Sequence, residues 1–172
     1  LVGGSLGART INESMLQHLD LVGQSDVQFI WQTGKVYYEA IKERLQNEEL
    51  PNLKATDFIS DMGAAYKAAD LVISRAGASS ISEFCLIGKP VILVPSPNVA
   101  EDHQTKNAMA LVNRNAAVYV KDSEAVDVLL KTALHTVGDT KKLESLKENI
   151  LKLGLKNSAD VIADEVIKLA IK

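Results

Sequence analysis

Short apolar runs alternate along the chain with longer segments of helical periodicity. The apolar runs predict strands at 27–32, 53–59, 71–74, 91–94 and 116–120, with the end of a further strand at Leu1 and Val2. The segments between and after them predict helices at 36–46, 61–69, 79–87, 103–115, 123–137, 140–153 and 158–171. Asp61 is expected to cap one of these helices and Gly88 to end another.

Several predicted strands are apolar at every position, which is typical of a parallel sheet covered by helices on both faces. With right-handed crossovers, the pattern predicts an α/β fold, a Rossmann-like, doubly wound parallel sheet of about six strands. No linker or repeat interrupts the pattern, so residues 1–172 are expected to form a single domain.

Composition excludes several functional classes. The 172 residues are 47% hydrophobic and 24% charged with a formal net charge of −3, which argues against disorder and against a basic nucleic-acid-binding surface. The single cysteine, Cys85, excludes a disulfide within the chain and is expected to be inert core. No apolar run is long enough to span a membrane, so the chain is expected to be soluble.

Ligands of open parallel sheets bind beyond the carboxyl ends of the strands, so the loops there are the candidates. The loop 3–9, GGSLGAR, follows a strand and opens a helix, an arrangement that attracts phosphate. It lacks the Lys-Ser/Thr of a P-loop after Gly7, and Val2 replaces the first glycine of a dinucleotide fingerprint. A phosphate site and a tight packing turn both remain open for this loop.

A second loop, 74–83, runs from a buried strand through small residues into a helix. Free N–H groups at that helix start suit a diphosphate, and the Glu83 carboxylate suits the two adjacent hydroxyls of a ribose. Alternatively, Ser80 and Glu83 have the spacing of a capping box, which needs no ligand.

Two further loops carry polar or flat side chains. In the loop 95–107, four side chains are able to bind sugar hydroxyls: Asp102, His103, Gln104 and Asn107. His103 is also a candidate general base, although a lone histidine at a helix start is more often a cap or a structural donor. In the loop 58–62, Phe58 and Met62 are able to enclose a flat base, unless both are core residues.

These motifs occur in a fixed order: GGSLGAR, FISDMGAAYKAADLVISRAGASSISE, GKPVILVPSP and EDHQTKNA. Together they resemble the C-terminal half of the MurG family of bacterial glycosyltransferases, over almost the whole chain. That family transfers N-acetylglucosamine from UDP-GlcNAc to lipid I, giving lipid II for peptidoglycan. The resemblance implies a GT-B architecture of two Rossmann-like domains, of which this chain is the donor-binding second. Because the chain starts inside a predicted strand, we expect it to be a fragment without its acceptor domain.

The resemblance also implies substrate contacts, residue by residue. They fall on Gly4, Ser5 and Gly7 at the diphosphate, Phe58, Ile59 and Met62 at the uracil, Arg75, Gly77, Ala78, Ser79, Ser80, Ile81, Ser82 and Glu83 at phosphate and ribose, and His103 and Gln104 at the sugar. Within this set, the Ile59 backbone is expected to bind uracil, Glu83 the ribose hydroxyls and Gln104 the GlcNAc ring. Some members carry glutamine where this chain has His103, which leaves the role of His103 open. Arg75 either shapes its loop or contacts phosphate.

The family inverts the anomeric centre by direct displacement, and the resemblance places the catalytic base in the absent half. No catalytic residue, metal or cofactor is therefore expected in this chain, which should bind UDP-GlcNAc weakly and be inactive alone. The whole enzyme is expected to be peripheral on the cytoplasmic face of the plasma membrane, where its other half takes lipid I. The alternatives are another UDP-sugar transferase, such as a lipid glucosyltransferase, and a non-catalytic nucleotide-binding module.

Overall fold

The computed structural model describes residues 1–170 and has an α/β fold within that range. The strands are β1 (Phe29–Gln32), β2 (Leu53–Thr56), β3 (Val72–Ser74), β4 (Val91–Leu93) and β5 (Val118–Tyr119). The α-helices are α1 (Arg9–Gln17), α2 (Leu19–Gln24), α3 (Tyr38–Leu45), α4 (Met62–Ala68), α5 (Ala78–Ile87), α6 (His103–Val112), α7 (Asp122–Gly138), α8 (Thr140–Leu151) and α9 (Ser158–Ala170). A 3₁₀ turn, Ala100–Asp102, precedes α6. The last residue of the predicted helix 158–171 lies outside the described residues.

All strand pairs are parallel, as the apolar runs predict. β1 pairs with β2, and β3 pairs with β4, which pairs with β5. Val2 forms parallel bridges to both Gln32 and Ser74, so it joins the two groups into the order β2–β1–Val2–β3–β4–β5. This is the Rossmann order, with its topological switch point beside Val2.

The expected count of six strands is wrong for the described residues, which contain five strands. The segment predicted as a strand at the start contributes only the bridging residue Val2. Its pairing ends there because the chain turns away at Gly4, where φ is 78°. This left-handed backbone is incompatible with a continuing strand.

Helices cover both faces of the sheet. On one face, α1 and α7 pack together over β3 and β4, where Ile11, Ile73 and Leu129 are buried. On the other, α5, α6 and α8 bury Phe84 and Leu93. The central strands are therefore buried on both sides, which explains their continuous apolar sequence.

Local signals fix several helix ends. Asp61 Oδ1 accepts the Ala64 N–H at 2.9 Å, so the predicted cap of α4 is confirmed. Gly88 ends α5 with φ at 67°, also as predicted. The predicted strand 53–59 stops at Thr56 instead, because the Phe58 N–H turns back to Asp57 Oδ1 at 2.7 Å.

Two features lie outside this core. Every residue of α9 is exposed, including its apolar side chains. Among residues 1–170, no helix combines the length and apolar character that crossing a membrane requires.

Candidate functional site

The glycine loop lies at the switch point of the sheet. Gly4 and Gly7 have φ of 78° and 87°, and the Gly4 carbonyl accepts the Gly7 N–H at 3.1 Å. A Cβ on Gly7 would lie 2.2 Å from the Thr33 carbonyl oxygen, so only glycine fits there. The loop leads into α1, whose N-cap residue, Ala8, makes no side-chain capping bond, and Ser5 in the loop is exposed. The loop therefore has both features considered for it: a tightly packed turn at Gly7 and a helix N-terminus without a side-chain cap.

The N-terminus of α5 is also uncapped. Gly77 is its N-cap residue and makes no side-chain capping bond. The first backbone bond runs from the Ile81 N–H to the Gly77 carbonyl at 3.0 Å, so the N–H groups of the first turn have no acceptor within the described residues. Ser80 lies inside the helix rather than at its N-cap, which excludes the capping-box interpretation of Ser80 and Glu83.

Glu83 is exposed and is held by a neighbouring helix. Its Oε2 atom accepts a hydrogen bond from the Tyr66 hydroxyl at 3.3 Å. The Tyr66 ring packs edge-on against buried Phe84, with centroids 5.5 Å apart. Burial and the nearby Glu83 carboxylate raise the pKa of Tyr66 to about 12, so the phenol keeps its proton at neutral pH and remains a donor. Tyr66 lies within the second of the four motifs but is absent from the set of site residues predicted from the sequence.

The loop before α4 presents an aromatic side chain and a free carbonyl. Phe58 is 48% exposed and Met62 is half-buried, so Phe58 is not a core residue. The Ile59 N–H donates to Gln32 Oε1 at 2.9 Å. In the described part of the chain, no donor reaches the Ile59 carbonyl, which is left as the free group of that residue.

Gln32 links this loop to the glycine loop. Its side chain is almost fully buried at the end of β1, and its Nε2 donates to the Gly4 carbonyl at 2.9 Å. The residue is absent from the set of site residues predicted from the sequence. The available signal was a long amide side chain ending an apolar strand, at the edge where ligands bind.

Arg75 holds neighbouring loops together. Its Nη1 donates to the Val94 and Pro95 carbonyls at 3.0 and 3.2 Å and pairs with Asp122, which also accepts from the Thr10 hydroxyl at 3.1 Å. Of the two roles open to Arg75, these contacts support shaping of the loop. Asp122 is a further residue that no sequence motif indicates.

Gln104 joins the loop that contains Ala76 to the loop that contains Ser96. Its Oε1 accepts from the Ser96 N–H at 2.9 Å and the Ala76 N–H at 3.2 Å. Asn107 Nδ2 donates to the Ala76 carbonyl at 3.2 Å, so both polar groups of Ala76 are engaged. His103 Nδ1 is 2.7 Å from the Ala100 carbonyl oxygen and therefore carries the proton of that bond, a structural contact. The Nε2 donors of Gln104 remain for a ligand.

Two cavities are lined by five of the predicted site residues, whereas Phe58 and the residues of the segment 77–83 line neither of them. A polar cleft of about 610 Å³ is lined by Gly7, Arg75, Ser96 and Gln104, together with Asp122. A second, mainly apolar cavity of about 520 Å³ is lined in part by Ile59, Met62 and Tyr66. Polar links among the surrounding loops come from Gln32, Arg75 and Gln104, and Tyr66 links α4 to α5. Across residues 1–170, no group of three metal-binding side chains is placed to hold a metal ion.

Known proteins with similar sequences cover the chain over its full length. A transferase of Bacteroides fragilis, named UDP-N-acetylglucosamine–N-acetylmuramyl-(pentapeptide) pyrophosphoryl-undecaprenol N-acetylglucosamine transferase, is 64% identical over 99% of this chain. A Porphyromonas gingivalis protein of the same name is 55% identical over 98% of this chain. The chain spans 45% of the length of each of these relatives.

Solved structures of glycosyltransferases superpose on this chain. The crystal structure of Acinetobacter baumannii MurG superposes with a TM-score of 0.80 at 31% identity, covering 97% of this chain and 48% of that one. The glycosyltransferase VinC in complex with dTDP superposes with a TM-score of 0.66 at 19% identity, covering 86% of this chain and 35% of that one, which indicates a shared fold.

The sequence pattern of one domain family covers nearly all of the fold described above. That family is described as the glycosyltransferase family 28 C-terminal domain, and it matches residues 1–165. The match includes every strand and every loop of the candidate site. The chain belongs to the glycosyltransferase family 28 C-terminal domain family.

Proposed function

We propose that this chain is the donor-binding part of an inverting glycosyltransferase that transfers GlcNAc from UDP-GlcNAc to lipid I, forming lipid II for peptidoglycan. The proposal is supported by relatives that carry the transferase name given above, among them the Bacteroides fragilis protein at 64% identity. Because the chain spans 45% of their length, the complete activity requires the acceptor-binding part as well.

The observation that carries this proposal is the uncapped N-terminus of α5 close to an exposed carboxylate. The N–H groups of Ala78, Ser79 and Ser80 have no protein acceptor in the described chain and lie where a helix dipole favours negative charge. Glu83 follows on the same helix with its carboxylate exposed. A diphosphate at the helix start and a ribose diol at Glu83 satisfy both groups with one ligand.

The remaining loops accommodate the other parts of UDP-GlcNAc. The exposed Phe58 ring contacts the uracil, and the Ile59 carbonyl accepts from it. Ser5 in the glycine loop binds the diphosphate from the other side. The Nε2 group of Gln104 donates to hydroxyls of the GlcNAc ring, because its Oε1 already binds two backbone N–H groups.

These contacts explain how the chain assists the displacement of UDP by the acceptor hydroxyl. When the acceptor C4 hydroxyl attacks the anomeric carbon, the bond to the diphosphate breaks and negative charge grows on UDP. Backbone N–H groups at the starts of α1 and α5 stabilise that charge, so the proposal requires no metal. The base that removes the hydroxyl proton, and the surface that places the enzyme on the cytoplasmic membrane face, belong to the acceptor-binding part.

Titration calorimetry on the 172-residue chain tests the proposal. We expect UDP and UDP-GlcNAc to bind at millimolar concentration, with Glu83→Gln weakening both and Glu148→Gln, an exposed charge change on α8, leaving both unchanged. No heat with either ligand would contradict the proposal. Preference for UDP-glucose would instead indicate a lipid glucosyltransferase. UDP binding without transfer, after the acceptor-binding part is joined, would indicate a non-catalytic module.

A further inference from the structure

Among residues 1–170, every charged side chain that lines the polar cleft beside the glycine loop has a partner of opposite charge. These side chains form two ion pairs, Arg9 with Glu13 and Arg75 with Asp122. This balance is unexpected beside a candidate diphosphate site, because an anion site usually gains from a free arginine or lysine. The positive potential that remains in the cleft comes from the backbone N–H groups at the start of α1.

The two ion pairs differ in how far water screens them. The side chains of Arg9 and Glu13 are 75% and 44% exposed and lie on one helix, so water and salt weaken their field. The side chains of Arg75 and Asp122 are only 19% and 18% exposed and belong to different parts of the fold. A change of charge in the Arg75–Asp122 pair therefore acts more strongly on a neighbouring ligand.

The Asp122 carboxylate is held in place at both of its oxygens. Oδ1 accepts from Arg75 Nη1, and Oδ2 accepts from the Thr10 hydroxyl at 3.1 Å. Asp122 is also the first residue of α7, where the helix dipole favours a negative charge. The carboxylate is therefore fixed between Arg75 and α1, the helix that follows the glycine loop.

Arg75 keeps donors that its protein partners do not use. Its Nη1 serves Asp122 and the carbonyls of Val94 and Pro95, whereas Nε and Nη2 have no acceptor within residues 1–170. The guanidinium therefore lines the cleft with free N–H groups, while Asp122 neutralises its charge. An arginine in this state adds little net attraction for an anion.

We propose that Asp122 is a positioning residue that neutralises Arg75 and thereby limits the affinity of the polar cleft for the diphosphate product relative to the donor. The inference rests on the proposed function, in which the glycine loop beside this cleft meets the diphosphate. UDP-GlcNAc carries two phosphate charges, whereas UDP ends in a phosphate whose second pKa is about 6 and so carries about three charges at about pH 8. An uncompensated arginine would therefore favour UDP over UDP-GlcNAc and delay product release, and Asp122 prevents this.

The test compares UDP and UDP-GlcNAc titrations of the 172-residue chain with those of Asp122→Asn at about pH 8. Asparagine keeps the shape of the side chain, with Oδ1 still an acceptor for Arg75 and Nδ2 a donor to the Thr10 hydroxyl oxygen. Because Arg75 is then uncompensated, we expect UDP to bind about fivefold more tightly and UDP-GlcNAc about twofold more tightly than in the unaltered chain. A merely structural role for Asp122 would weaken both ligands instead.

Glu13→Gln makes the same change of charge in the exposed pair of this cleft and is the matched control. Its effect on either ligand should stay below about twofold, because water screens that pair. Arg75→Gln is the reverse variant and keeps the test decisive if Asp122→Asn does not fold, which thermal unfolding reports. It leaves the Asp122 charge uncompensated, so UDP should weaken about fivefold and UDP-GlcNAc about twofold.

The outcomes separate the inference from the function on which it rests. If the unaltered chain binds neither UDP nor UDP-GlcNAc, the proposed function fails and the inference fails with it. A higher ratio of UDP affinity to UDP-GlcNAc affinity in Asp122→Asn, and a lower one in Arg75→Gln, supports the inference. If the unaltered chain binds both ligands and the folded variants leave this ratio unchanged, the role of Asp122 is refuted while the donor site stands. Weaker UDP binding by folded Asp122→Asn refutes it equally.

Discussion

The Tyr66 hydroxyl donates a hydrogen bond to Oε2 of Glu83 across 3.3 Å, which joins α4 to α5 beside the candidate nucleotide loops. One donor occupies only one of the acceptor positions on the carboxylate, so the others remain open to ribose hydroxyls. Because the Tyr66 ring packs on buried Phe84, the position of the donating hydroxyl is restricted. Glu83 is therefore oriented before a ligand arrives.

This contact predicts a graded effect on nucleotide binding. We expect Glu83→Ala to lower UDP affinity about tenfold, and Tyr66→Phe, which removes only the donor, to lower it about threefold. The losses should be smaller for 2′-deoxy-UDP, which lacks one of the hydroxyls. Calorimetry with both nucleotides measures them, and Tyr38→Phe on α3, whose ring packs near Lys42, is the matched control. Equal losses for UDP and its deoxy analogue would place Glu83 away from the ribose.

Gln104 should separate sugar binding from nucleotide binding. In Gln104→Glu, the acceptor to the Ser96 and Ala76 N–H groups is kept and the Nε2 donor is lost. The fold should therefore persist, while UDP-GlcNAc affinity falls about tenfold and UDP affinity falls less. The two titrations, compared on one protein preparation, give the result. An identical loss for both ligands would contradict the assignment of Gln104 to the sugar.

The pair formed by Arg75 and Asp122 should contribute to stability. Their side chains are only 19% and 18% exposed, and Arg75 also binds two carbonyls. Asp122→Ala leaves a partly buried guanidinium without its counter-ion, so we expect the free energy of unfolding to fall by about 2 kcal/mol. Chemical denaturation measures the change. Glu165→Ala, which breaks an exposed pair on α9, should change it by less than about 0.5 kcal/mol.

Gly7 should not tolerate a side chain. Its φ is 87°, and a Cβ at this position would lie 2.2 Å from the Thr33 carbonyl oxygen. We therefore expect Gly7→Ala to lower the free energy of unfolding by about 2 kcal/mol or more. Gly138→Ala is the control, because nothing lies within 4 Å of its Cβ position. Equal midpoints of urea unfolding for the two variants would show that the glycine loop relaxes around the new methyl group.

Much of the fold follows from patterns within short stretches of sequence. Apolar runs such as 91–94 predict buried parallel strands because both faces of those strands are covered. Asp61 and Gly88 were identifiable because capping depends on one residue and its immediate neighbours. The strand expected at the start reduced to Val2, since strand length depends on partners that are distant in sequence.

The candidate site was less predictable, because its supporting contacts join distant parts of the chain. The glycine loop and the helix start at Gly77 are visible locally as runs of small residues. Gln32, Tyr66 and Asp122 act on partners 17 to 112 residues away, which no local pattern reveals. For the same reason, the sequence leaves two roles open for Arg75, whose partners Val94, Pro95 and Asp122 lie 19 to 47 residues away.

The most direct measurement is a crystal structure of the 172-residue chain grown with millimolar UDP. We predict that the diphosphate lies against the first turn of α5 and the glycine loop, with both ribose hydroxyls within hydrogen-bond distance of Glu83 and the uracil N3–H on the Ile59 carbonyl. A nucleotide bound elsewhere, or one whose ribose does not contact Glu83, would contradict this account.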